Sequence, residues 1–164
     1  MIKTKDAYMT LKNHYKSSFN SIVTDVQNKF GVKVILNKNA EESFWLPSAN
    51  AIVISGKSSW KRRVNFLLHE IGHVINDNAK GPVAKSIVME HYSSSSRSKM
   101  HFVSVVNEEL RAWNTGKEFA IKNKHGFDIV SYNKDTTNCL MSYVKYGLQN
   151  VYGENIDIDF INIE

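Results

Sequence analysis

The sequence predicts an α+β fold, a mostly helical single domain in which a small three-stranded sheet lies beside a long helix. Three observations predict it. Apolar residues step by three or four along residues 11–30, 64–75 and 139–148, the spacing of amphipathic helices. Short β-branched runs cluster between residues 32 and 54. The chain has 164 residues, 42% of them hydrophobic and 11% aromatic, enough to bury one substantial core, and no composition break marks a second domain.

The elements follow in order. Leu11, Tyr15, Phe19, Ile22, Val26 and Phe30 predict a long first helix that ends near Gly31. Val32–Leu36 reads as a strand, Phe44–Leu46 as a second and Ala51–Ile54 as a third, the last two divided by the turn-like Pro47-Ser48-Ala49-Asn50. Val64, Leu67, Leu68, Ile71, Val74 and Ile75 then form a helical stripe, with Ser58 or Ser59 to cap its start and Asn76-Asp77-Asn78 to end it. Pro82–Tyr92 fits a short helix with Val83, Ile87 and Val88 inward, followed by a mobile polar loop, Ser93–Lys99. Val103–Gly116 is a further helix. Beyond Lys124, the stripe Cys139, Leu140, Tyr143, Val144 and Leu148 predicts a last helix on the far side of the site, and the alternation of Ile156–Asp159 suits an edge strand.

The chemistry is concentrated in His69-Glu70-Ile71-Gly72-His73. On a helix, residues four apart share a face, so His69 and His73 can offer two imidazole nitrogens to one metal while Glu70 stands beside them as a general base. The alternative for such a motif is two surface histidines and a glutamate on an ordinary amphipathic helix. Gly72 costs about 1 kcal/mol against Ala in mid-helix, which points to a close backbone approach there, for packing or for function.

A catalytic zinc site takes three protein ligands, so one more is needed. The pattern that places a glycine and a third histidine just after the motif is excluded, because those positions are Asn76 and Ala79. Val103–Gly116 offers two adjacent glutamates instead. Glu109 shares a helical stripe with Val106, Ala112, Trp113 and Gly116 and projects toward the packed side, where Ala112 and Gly116 are small enough to admit the neighbouring helix. Glu108 falls with Ser104, Arg111 and Thr115 on a more polar flank and ranks second as a ligand.

H-E-I-G-H followed by E-E-L-R-A-W-x-x-G-x-x-x-A resembles the gluzincin zinc metallopeptidases over roughly residues 30 to 145, in particular small phage and mobile-element metallopeptidases related to minigluzincins and immunity-repressor-cleaving proteases. The resemblance implies a zincin-like fold, Zn2+ held by His69, His73 and Glu109, and Glu70 as the catalytic base. It also implies that the strand just before the motif helix is the edge along which an extended substrate pairs, a plain core strand being the alternative. In thermolysin-like relatives an aspartate four residues past the glutamate ligand supports a histidine. Here Trp113 stands there, leaving Asn76, Asp77, Glu108 and Asn114 as candidate supports.

The implied function is a zinc-dependent endopeptidase with a protein or peptide substrate, phage-encoded and acting on a host or phage protein. Three alternatives stand beside it. One is a DNA-associated H-E-x-x-H protease with His91 as third ligand, one a non-catalytic zinc-containing binding protein or inhibitor of a host factor, and one a latent proprotease blocked by its tail or serine-rich loop. His91, His101, Tyr143 and Tyr146 are further candidates for oxyanion stabilisation, with ordinary surface or core roles as the alternative. The net charge of +5 is spread through lysines, and the cluster Lys61-Arg62-Arg63 has no nucleic-acid motif beside it. Cys139, the single cysteine, reads as a small buried hydrophobe. The N-terminus lacks a signal-peptide core and no apolar run reaches membrane length, so the sequence predicts a cytoplasmic protein with no membrane association.

Overall fold

The computed structural model describes residues 3–79 and 99–152, with side chains from 9–79 and 102–149. The expected helix at 82–92, the serine-rich loop through Ser98, His91, the His101 side chain and the expected tail strand lie outside those residues, and Lys99, expected in the loop, is helical. Among the described residues the fold is α+β: helices α1 (Lys3–Phe30), α2 (Trp60–Ala79), α3 (Lys99–Lys122) and α4 (Ile129–Tyr152) surround strands β1 (Lys33–Asn37), β2 (Phe44–Leu46) and β3 (Ala51–Ser55).

Local chemistry sets the boundaries. Gly31 adopts a φ of +65° and donates its N–H to the Gln27 carbonyl at 3.0 Å, closing α1 with the residue best able to take a left-handed conformation. Pro47 opens a single 3-10 turn, Pro47–Ala49, that returns the chain from β2 to β3. The hydroxyl oxygen of Ser59 accepts the Arg62 N–H at 3.4 Å to cap α2, and the Asp128 carboxylate accepts the Ser131 N–H at 3.0 Å to cap α4. Helix α3 starts at Lys99, four residues before the expected Val103.

The sheet has the order β1-β3-β2, with β1 parallel to β3 (Val34 opposite Ile52) and β2 antiparallel to it (Trp45 opposite Ile52). The strand before the motif helix is therefore central, not an edge. All five residues of β3 are buried, and an Ala-Ile-Val-Ile run suits a strand covered on both faces, whereas an exposed edge favours alternation. The edge beside the site is β2, whose Phe44 and Leu46 are exposed.

The core is one cluster. Phe19, Ile22 and Val26 of α1 meet Ile52 and Ile54 of β3, Val64, Leu67, Leu68, Ile71 and Val74 of α2, and Trp113, Phe119 and Tyr132 of α3 and α4. Within it, α2 and α3 approach through their small residues. A Cβ built on Gly72 would lie 1.9 Å from the Ala112 carbonyl oxygen, and one on Gly116 would lie 1.9 Å from that of Leu68. The pairs 72–112 and 68–116 run in opposite senses, so the helices are antiparallel. Among the described residues no helix is long and apolar enough to cross a membrane.

Candidate metal centre

Backbone contact between α2 and α3 brings the side chains of the two helices into one buried cluster. His69 Nε2 and His73 Nε2 are 3.3 Å apart. The Glu109 carboxylate straddles them, with Oε2 at 3.2 Å from His69 Nε2 and Oε1 at 3.6 Å from His73 Nε2. His69, Glu70 and Glu109 are buried, at 7%, 4% and 4% exposure, which makes the electrostatics of this group unlike that of a surface cluster. Glu70 Oε1 stands a little farther off, at 3.9 Å from His69 Nε2, and its carboxylate and the two imidazole donors all fall within 4.8 Å of one another. By distance Glu109, more than Glu70, completes the set with the histidines.

Helical phase separates the two glutamates. Glu109 is buried together with Ala112, Trp113 and Gly116, while Glu108 stays partly open and lies 3.8 Å from the Arg111 guanidinium.

Charge acts strongly here. Burial alone would raise the Glu109 carboxyl, but hydrogen bonding to His69 and His73 overcomes it and holds the group at about 2. Burial would lower His73, yet its hydrogen bond to the Glu109 carboxylate and the charges of Glu70, Glu109 and Asp77 raise it on balance. Burial pushes the Glu70 carboxyl up against the pull of the two imidazoles, Glu109 adds to the rise, and the Trp45 backbone N–H opposes it.

This donor set fits a zinc ion. With bonds of about 2.0–2.1 Å, tetrahedral ligand atoms stand about 3.3–3.4 Å apart, close to the observed spacings among His69, His73 and Glu109. Two neutral imidazoles and the two buried carboxylates would be electrically balanced by one divalent cation.

The surroundings depart from a carboxylate-supported histidine. His69 Nδ1 is buried with no hydrogen-bond partner, and the Trp113 ring stacks on His69 instead, centroids 4.3 Å apart and planes 22° from parallel. The Trp113 carbonyl accepts the buried Tyr132 hydroxyl at 2.7 Å, which ties α4 to the site. Of the candidate supports, Asp77 acts on His73 through its charge and accepts the Trp45 indole N–H at 2.9 Å. Asn76 accepts the Thr115 hydroxyl at 3.0 Å, and Asn114 is exposed.

The cluster lies in a cleft of about 1060 Å3, bounded on one side by β2 (Phe44, Trp45) and on the other by α4 (Cys139, Ser142, Tyr143, Tyr146). Tyr143 and Tyr146 both line it. Cys139 is half-buried in the cleft wall, more open than a core residue, and burial pushes its thiol up to about 11, which leaves little thiolate at neutral pH.

Lys61, Arg62 and Arg63 each have a partner, although the side chains of Lys61 and Arg62 remain about half-exposed. Lys61 pairs with Asp128 at 3.3 Å, Arg62 with buried Asp135 at 3.2 Å, and Arg63 donates to the Gly56 carbonyl. Asn65 Nδ2 donates to Asp135 at 2.8 Å, so a polar network clamps the start of α2 to α4. Sequence reasoning missed this network, the β2 edge and the acidic residues Glu41 and Glu42 at the cleft. Asn65 within an apolar stripe was the one local sign of the first.

No protein-family model matches this chain, and no curated protein or solved structure is significantly similar to it.

Proposed function

We propose that the chain is a zinc-dependent endopeptidase. The observation that carries this reading is the triangle of buried His69 and Glu109 with partly buried His73, Glu70 beside it, at the floor of an open cleft. The resemblance of the two motifs to gluzincins points the same way. A structural zinc site would be closed by a fourth protein ligand, whereas among the described residues this one faces the cleft.

The residues divide the work. His69, His73 and Glu109 would hold the ion, which supplies Lewis-acid activation of water and of the scissile carbonyl when bound. Glu70 takes the attacking water's proton and delivers it to the leaving amine. The Trp45 backbone N–H favours the charged form of Glu70, the form a base needs. The β2 edge can pair with an extended peptide through backbone hydrogen bonds, which hold a substrate without demanding one sequence. Tyr143 and Tyr146 line the opposite wall, where a hydroxyl can meet the developing oxyanion.

A proteome-wide comparison of cleavage products between the wild type and Glu70→Gln tests the reading and identifies substrates together. New peptide termini made only by the wild type are expected. Identical products from both proteins would overturn it.

A further inference from the structure

We propose that the cleft selects basic peptide segments, with Lys or Arg side chains flanking the bond that is cut; this rests on the endopeptidase reading and names its substrate class. The inference starts from where the charges lie. The chain is basic, with 21 Lys and Arg against 16 Asp and Glu. Its cleft is the reverse. Among the described residues Glu41, Glu42, Glu70, Asp77, Glu108 and Glu109 line it, and Arg62 is the only Lys or Arg that does.

Even with a divalent ion at neutral histidines, that lining keeps a net charge of −3. That total already includes Arg62, whose half-exposed guanidinium lies 3.2 Å from Asp135, a carboxylate outside the lining. Lys57 pairs with the exposed Glu41 and Arg111 approaches Glu108; counting both of these exposed cations still leaves the total negative, at −1. Carboxylates gathered between low-dielectric walls focus their field into the space between them and raise the local concentration of cations.

The apolar part of the lining suits the same side chains. Phe44, Trp45, Phe66, Tyr143 and Tyr146 surround the acids. A lysine or arginine can lay its aliphatic stem on such rings and bring its head over a ring face or to a carboxylate. An acidic peptide would meet repulsion from the floor of the cleft and from Glu41 and Glu42 on its β2 side. A purely apolar one would displace water from the lining carboxylates and offer them no charge in return.

The experiment uses three otherwise identical fluorogenic peptides carrying Lys, Gln or Glu on both sides of the central bond. Hydrolysis is measured with the zinc-loaded wild type, and equilibrium binding by anisotropy with Glu70→Gln. The Lys peptide is expected to bind and to be cleaved at least about tenfold better than the Gln peptide at low ionic strength, with the advantage shrinking as salt is added. Glu42→Gln, a change at an exposed lining position, is expected to reduce that advantage without altering stability. Equal binding of the Lys and Gln peptides would overturn the inference. Cleavage without charge preference would do so while leaving the endopeptidase reading intact. Selective binding of the Lys peptide with no cleavage would support the basic-peptide cleft and count against the enzyme.

Discussion

Gly72 and Ala112 are in backbone contact. A methyl group on Gly72 would lie 1.9 Å from the Ala112 carbonyl oxygen and 2.9 Å from its Cα, and no side-chain rotation relieves a clash with backbone. This approach sets the distance from the motif histidines to Glu109. Gly72→Ala gains about 1 kcal/mol of helix propensity, yet it must push the helices apart. The expected result is a net loss of about 1–3 kcal/mol in chemical denaturation, together with weaker zinc binding. Unchanged stability would mean the helices do not press together there.

The α4 cap makes stability depend on acid. The Asp128 carboxyl is held below its ordinary value chiefly by the Ser131 N–H, with burial opposing and Lys61 assisting. A depressed folded-state value means the contribution is present above the unfolded-state value near 3.8 and is lost as pH falls through the lower folded one. Asp128→Ala is expected to cost about 1 kcal/mol at pH 7 and much less near pH 2. Urea midpoints at both pH values check this.

Tyr132 joins α4 to the helix that carries Glu109. Its hydroxyl, buried and pushed upward in pKa by that burial, donates to the Trp113 carbonyl at 2.7 Å. Tyr132→Phe keeps the ring packing and removes this bond, so a loss of about 1 kcal/mol is expected. A thermal melt shows it.

Glu70→Gln is expected to leave the fold and the metal in place while lowering peptide hydrolysis at least about a hundredfold, the scale of lost general-base catalysis. Rates on one cleaved peptide decide the matter. An undiminished rate would remove Glu70 from the role of base.

Much of this was legible in the sequence where the signal is local. Gly31 marked the end of α1, a serine cap marked the start of α2, and Phe44–Leu46 matched β2 to the residue. Helical phase alone turned Glu109, more than Glu108, toward the histidines, and Gly72, Ala112 and Gly116 announced the close helix pair. What sequence did not reveal depends on partners far along the chain. The position of β3 between two strands is set by pairing with β1 and β2, although its unbroken apolar run was the clue. Asn65 meets Asp135 seventy residues away, and the half-exposed Arg62 meets the same carboxylate, so part of the cluster Lys61-Arg62-Arg63 ties α2 to α4. The cleft's acidity arises from residues scattered between Glu41 and Glu109, which only the fold brings together.

The central claim is that His69, His73 and Glu109 hold one zinc ion. Zinc titration of the metal-free wild type, Glu108→Ala and Glu109→Ala, with a circular-dichroism check on each fold, tests it most directly. The account predicts one tightly bound zinc in the wild type and in Glu108→Ala, and strongly weakened binding in folded Glu109→Ala. Full zinc affinity in Glu109→Ala, or its loss in Glu108→Ala alone, would contradict it.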